Sequence, residues 1–361
     1  MTNPTENDIP PVRPWLARYA MLLVLMTLFL IFMGGQVKSH EAGLAVPDWP
    51  TTYGENMFTF HYSKWVGGIY HEHVHRLVAS GIGLLTTGLL IGLFLREPRK
   101  WVRSLGMLAL VAVIAQGLLG GLTVILLLPA WVSVSHAVLA QTFFMITILL
   151  AYALSREWHV REAEVAPAES SPLFKPALIM TAVVFTQLIL GAVMRHTESG
   201  LALPDFPLMA GQWIPFFTQS SVDWVNEWRI DYSFETGVVL EDVTLAQLYA
   251  HFIHRVGAIA VFVALMMFAK HAGANREAYP KVWKTTIMLM ILVTVQIALG
   301  IITVLSHRVP FITSLHVVTG AATLGVSWLA VLRSMPLDLW QESSVTPIEK
   351  SSDALGDAVI K

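Results

Sequence analysis

The chain has 361 residues, 55% of them apolar and 13% charged, with a formal net charge of −2 and no cysteine. A soluble domain carries about 25% charged residues, and a soluble chain this apolar would expose large adhesive patches. A nucleic-acid binder needs a basic face and is excluded. The missing thiols exclude disulfides, thiolate zinc sites, iron–sulfur clusters and cysteine nucleophiles.

Residues 1–14 read as an inner N-terminal tail, in which Glu6 and Asp8 argue against a transit peptide or cleaved signal. The first stretch free of Asp, Glu, Lys and Arg covers residues 19–37, and the second covers 77–95. Residues 104–155 form a third, far longer than the roughly 20 residues one crossing needs. Pro129 and Trp131 near its middle predict a hairpin of two spans. Further spans are predicted over 176–194, 243–269 (interrupted by Arg255), 285–307 and 309–332. Backbone polar groups in lipid must be satisfied within the segment, so these are helices.

Eight spans place both termini on one side. With the N-terminus inside, 16 of the 23 Lys and Arg residues fall on inner segments, which supports cytoplasmic termini in a bacterial inner membrane. Two long outer loops follow, at about 38–70 and 195–244. Residues 162–172, rich in Ala, Glu, Pro and Ser, read as a flexible linker, and the polar tail after Gln341 reads as disordered.

The two halves repeat. Glu41-Ala-Gly-Leu-Ala-Val-Pro-Asp48-Trp-Pro50 aligns with Glu198-Ser-Gly-Leu-Ala-Leu-Pro-Asp205-Phe-Pro207. Glu72-His-Val-His75-Arg76 aligns with His251-Phe-Ile-His254-Arg255, Gln116 to Val124 with Gln296 to Val304, and Ser135-His136 with Leu315-His316. The predicted fold is therefore an all-α polytopic membrane protein whose eight helices form two four-helix bundles related by a pseudo-twofold axis along the membrane normal. The N-terminal half spans 15–160, a linker 161–174, the C-terminal half 175–335 and a polar inner tail 336–361.

Ionisable residues within spans are costly and point to function. Among 13 histidines the repeat selects His75 and His136 in one half and His254 and His316 in the other. Each pair lies toward the outer ends of the second and fourth helices of its half. Neutral imidazoles facing across a bundle suit the axial positions of heme iron. A single histidine near a span end is ordinarily an interfacial hydrogen-bonding group, and the signal lies in the repeated pair. Glu72 precedes His75 by three residues and shares its helix face. Its repeat partner, His251, is not a carboxylate and is not expected to do the same work. Arg76 and Arg255 suit either heme propionates or the outer interface. His71-Glu72-x-x-His75 is also a zinc-protease pattern, but the repeat replaces His71 by Ala250. The Asp48 and Asp205 motifs read as turn-shaping elements that partly cover the pockets. Gln116, Gln296, Thr123 and Thr303 are expected to hydrogen-bond between helices.

Glu72-x-x-His75-Arg76, His136, His254-Arg255 and His316, with the Glu-x-Gly-Leu-Ala loops and Gly120-Gly-Leu-Thr-Val124, resemble the heme A synthase family over roughly residues 15–332. That resemblance implies an oxidoreductase that converts the C8 methyl of heme O to a formyl group for cytochrome oxidase. It implies Glu72 as catalytic residue, substrate heme at His75 and His136, and a heme B cofactor between His254 and His316. Heme O synthase, oxidase assembly factors, an unidentified electron acceptor and a second copy of the chain are the implied partners. Some family members carry an outer-loop cysteine pair, which this chain lacks. The rival readings are a quinone-linked two-heme b-type electron carrier, a heme transporter and the zinc protease.

Overall fold

The computed structural model describes residues 13–163 and 171–336. The N-terminal tail to residue 12, most of the linker and the tail from 337 lie outside the described residues. Among the described residues eight helices are long and apolar enough to cross a membrane: α1 (Pro14–Ser39), α2 (Gly68–Arg96), α3 (Lys100–Ile125), α4 (Ala130–Ala153), α6 (Phe174–His196), α8 (Leu245–Ala274), α9 (Pro280–Leu305) and α10 (Pro310–Ser334). The chain is a multi-pass, all-helical membrane protein. Each predicted span lies within one of these helices to within two residues, but the helices run longer, because capping turns extend past the apolar core. Prolines at the first positions of α1, α9 and α10 lack an N–H that the helix could not use there. Outward-facing Leu84, Val111 and Ile259 are 72%, 62% and 63% exposed. Such side chains are stable against lipid and costly against water.

Two helices were not anticipated. The short α5 (Arg156–Ala163) crosses the expected boundary at residue 160, and α7 (Gln219–Thr236) occupies the second outer loop. At 18 residues α7 is too polar to register as a span, and at eight residues α5 is too short. α7 packs Val222 and Val225 against Leu203, Phe217 and Leu248. α5 is tied to α10: Arg161 donates to the Leu332 and Met335 carbonyls, and Glu157 pairs with Arg333 at 2.9 Å.

The helix contacts repeat between halves. In the first, α1 meets α2 and α4, and α3 meets α2 and α4. In the second, α6 meets α8 and α10, and α9 meets α8 and α10. Between halves, α1 touches α10, α4 touches α6, and α4 touches α10. The backbone repeats even where side chains do not. The turn after α3 places Leu127 and Leu128 at φ of 61° and 60°, and the turn after α9 places His307 and Arg308 at 52° and 66°. Left-handed backbone costs roughly 1 kcal/mol or more for such residues. It is held by amide bonds from Leu128 to the Thr123 carbonyl and from Arg308 to the Thr303 carbonyl, at 2.7 and 2.8 Å.

Candidate functional site: two imidazole pairs under clamped loops

Each histidine selected by the repeat lies edge-on against a glycine of a neighbouring helix. A Cβ added at Gly34 would sit 3.2 Å from His75 Cε1. At Gly120 it would sit 3.1 Å from His136 Cε1, at Gly191 2.9 Å from His254 Cε1, and at Gly300 3.0 Å from His316 Cε1. Any larger residue would displace the ring. His75 lies within electrostatic range of His136, and His254 of His316. The four positions lie one and a half to two and a half turns inside their helices, deeper than the span ends predicted.

Glutamines hold three of the rings. Gln116 donates to the His136 carbonyl at 3.0 Å, and its Nε2 lies 3.3 Å from the ring Nε2. Gln187 donates to the His254 carbonyl at 2.8 Å and lies 3.1 Å from its Nδ1. His316 Nδ1 donates to the Gln296 carbonyl at 3.2 Å, which leaves a lone pair on Nε2. Leu30 occupies the repeat position of Gln187, and the Nδ1 atoms of His75 and His136 are buried without a partner. Thr123 bonds to the Gly120 carbonyl of its own helix, so the expected bond between helices is not made there.

Apolar surroundings, orphaned ring nitrogens and paired imidazoles fit a flat iron porphyrin gripped from two sides. They do not fit zinc. Among the described residues no three His, Asp or Glu side chains could hold a metal ion together. His71 stacks on His40 with centroids 3.9 Å apart, while His75 enters the Gly34 notch six residues away on α1.

Above each pair the outer loop is clamped by one arginine. Arg76 donates to the carbonyls of Val46 (2.9 Å), Asp48 (2.7 Å) and Thr51 (3.1 Å) and to Glu72 Oε1 (2.5 Å). All four of its terminal N–H groups are engaged. Arg255 donates to the carbonyls at the same repeat positions, Leu203 (2.7 Å), Asp205 (2.9 Å) and Leu208 (3.0 Å). Glu72 Oε2 accepts from the Val46 amide at 2.7 Å. His251 Nδ1 takes the Leu203 amide at 3.1 Å and its Nε2 lies 3.3 Å from Arg255 Nε. His251 therefore fills the structural place of Glu72 in holding the loop, while bringing no carboxylate. What differs is the negative charge.

Asp48 and Asp205 shape the loops as predicted. Asp48 accepts from Tyr53 N, Gly54 N and Thr51 Oγ1 at 2.7, 2.8 and 2.5 Å. Asp205 accepts from Ala210 N and Gly211 N at 2.9 and 2.8 Å. Partial burial raises the Asp48 pKa, but the Gly54, Thr51 and Tyr53 bonds outweigh it and hold the carboxyl below its ordinary value. Trp49 lies on Gly121 of α3, which brings the first loop over the His136 helix pair.

The two halves meet in a charged seam. Lys38 pairs with Glu198, and Arg308 lies 3.8 Å from Glu41 and 3.7 Å from Glu198. Arg195 crosses to α1 and donates to the Gly35 carbonyl and Ser39 Oγ at 2.8 and 2.7 Å.

Sequence reasoning singled out the four imidazoles, Glu72 and the two arginines, but read the arginines as propionate or interfacial groups rather than as the loop clamps they form. It missed the glycine notches, Gln187 and Arg195. The notches had a signal, since Gly34 aligns with Gly191 and Gly120 with Gly300. Gln187 and Arg195 had none, because their repeat partners are Leu30 and Lys38.

The model of the COX15-CtaA family, cytochrome oxidase assembly protein, matches residues 17–328. A heme A synthase of Shewanella oneidensis is 28% identical over 92% of this chain and 98% of its own length. Heme A synthases of Sphingopyxis alaskensis and Halalkalibacterium halodurans are 24% and 27% identical, over 96% and 83% of the chain and 98% and 89% of their own lengths. A match over nearly all of the helical region, together with the duplicated imidazole pairs it covers, places the chain in the family of cytochrome oxidase assembly proteins.

Proposed function

We propose that this chain is a heme A synthase, which oxidises the C8 methyl of heme O to a formyl group. The single observation that carries the assignment of sites is the pair of half-buried imidazoles in each half, each ring in a glycine notch. In this reading the two halves are pseudo-twofold bundles, with 15–160 binding the substrate heme and 175–335 binding heme B. His75 and His136 would hold the substrate, and His254 and His316 would hold the cofactor. Heme B supplies a one-electron redox centre when bound. Both termini are cytoplasmic, and the imidazole pairs lie toward the outer face. Heme O synthase is the natural source of substrate, and oxidase assembly the destination of product.

Oxidation of the methyl to the formyl group proceeds in two two-electron steps with oxygen from water, –CH3 + H2O → –CHO + 4 H+ + 4 e−; electron density leaves the methyl carbon in each, and the electrons would pass by way of the second heme to an external acceptor. Glu72 is buried, and two donors, Arg76 and the Val46 amide, fix its orientation. A fixed carboxylate stabilises positive charge developing at that carbon or accepts the proton released. Arg76 and Arg255 act as pocket contacts by holding the loops down, since the terminal N–H groups of Arg76 are already engaged. The His251 equivalent offers no anion, which supports chemistry in the first half and electron handling in the second.

The test is the absorption spectrum of the purified protein and chromatography of its extracted hemes. His254→Ala is expected to lose the bound heme B; an unchanged spectrum rejects that ligand. A protein that keeps its hemes but never forms a formyl heme from heme O is an electron carrier or a transporter instead.

A further inference from the structure

Arg195 stands in the last turn of α6, at the outer end of the second half. A cation at that point would ordinarily extend outward to headgroups and water. This one instead turns across the interface and spends both Nη2 hydrogens on Gly35 and Ser39 of α1. Gly35 is itself buried. The carboxylates nearest in the seam are already used: Glu198 by Lys38 and Arg308, and Glu41 by Arg308. Among the described residues no carboxylate lies within ion-pair distance of Arg195. An ionised group placed among helices without a counter-ion is costly, and its Nη1 and Nε donors remain available.

Arg195 stands one turn beyond Gly191, the notch of His254, and other polar groups beyond the notches of the second half lack partners too. The hydroxyls of Thr303 and Ser306, at the outer end of α9, are buried and unpartnered. Thr303 is one turn beyond Gly300, the notch of His316. The equivalent Thr123 in the first half has a partner at 2.6 Å. The Gln36 amide, next to Gly35, is 8% exposed and its Nε2 has no partner. Donors without acceptors thus gather on the outer side of the second imidazole pair. Arg76 has no terminal N–H to spare for the same purpose.

We propose that Arg195, assisted by the Thr303 and Ser306 hydroxyls, is a carboxylate site that receives a propionate of the tetrapyrrole held by His254 and His316. The proposal rests on the ligation reading above, and the experiment separates the two. Full-length protein carrying His75→Ala and His136→Ala, made without heme, is titrated with hemin and with hemin dimethyl ester, whose propionates are neutral. A charge-assisted hydrogen bond contributes about 1.5–3 kcal/mol, so the diester is expected to bind at least about tenfold more weakly. R195Q is expected to bring the two within about threefold, while R195K keeps the preference. A starting ratio near one overturns the assignment, as does a full preference retained by R195Q. A collapse in R195K as deep as in R195Q shows a packing role and also overturns it. If His254→Ala binds both compounds as before, the ligation reading itself fails, whatever R195Q does.

Discussion

The two outer loops are held by the same device but differ in charge and in cover. In the first half Arg76 grips Val46, Asp48 and Thr51 with Glu72 beside it; in the second Arg255 grips Leu203, Asp205 and Leu208 with His251 beside it. The first loop spans residues 40–67 with one short turn of 3-10 helix, whereas the second carries all of α7. There Trp228 and Tyr232 lie against His307, at the turn leading into the His316 helix. Duplication preserved the backbone clamp because the fold needs it twice. It did not preserve the carboxylate, so the two halves differ in charge at one equivalent position.

The sharpest way to break this comparison is to treat the two equivalent positions alike. Glu72→Gln should lower heme A formation by about 100-fold or more while leaving heme content unchanged. His251→Gln keeps an acceptor for the Leu203 amide and should retain most activity. Extracted-heme chromatography reads both, and equal losses would show that the asymmetry is not catalytic.

Next in size is the glycine notch. Gly120→Ala puts a Cβ 3.1 Å from the His136 ring, whereas Gly117→Ala meets nothing within 4 Å. Overpacking costs about 1–3 kcal/mol, so Gly120→Ala should weaken heme binding in its half roughly 5- to 100-fold. Gly117→Ala should be neutral or slightly stabilising, because alanine favours the helix. Binding titrations of the two variants that coincide would remove the notch from the argument.

The clamp comes third. Arg76→Met deletes three carbonyl bonds and leaves Glu72 buried without its cation, at a cost of about 2 kcal/mol or more. Protease cleavage within 40–67 should rise while the second loop stays resistant. Arg255→Met should show the reverse, and matched cleavage of both loops in either variant would deny that each clamp is local.

The smallest effect concerns acid. The folded-state pKa of Asp48 is depressed, so its stabilising contribution is present above the ordinary value of 3.8 and is lost as pH falls through the folded value. Cleavage of the first loop should increase over that acid range, and Asp48→Asn should remove that dependence. A parent protein whose cleavage is flat with pH would rule out Asp48 as a latch.

Much of this was legible in the sequence. Charge-free stretches located all eight spans, because lipid forbids unpaired polar groups and a bilayer sets the length of a crossing. The repeat singled out His75, His136, His254 and His316, because four residues of one type at matching positions in two halves are hard to produce otherwise. The polar α7 escaped notice because its five turns have no long apolar stretch, and α5 because eight residues carry too little pattern. The loop-holding contact of His251 was not legible because an imidazole and a carboxylate differ as residue types but both accept an amide hydrogen.

By itself, then, the sequence determined the membrane class, the eight crossings, the duplication and the imidazole pairs, all of which follow from local composition and spacing. Only the tertiary structure decided what those residues touch. That Gly34 receives His75, that Arg76 is spent on three loop carbonyls, and that Arg195 turns toward α1 rather than toward water depend on which distant helices pack together. A side chain is committed by the neighbours that packing supplies, and hydrogen-bonded neighbours lie up to 275 residues apart along the chain.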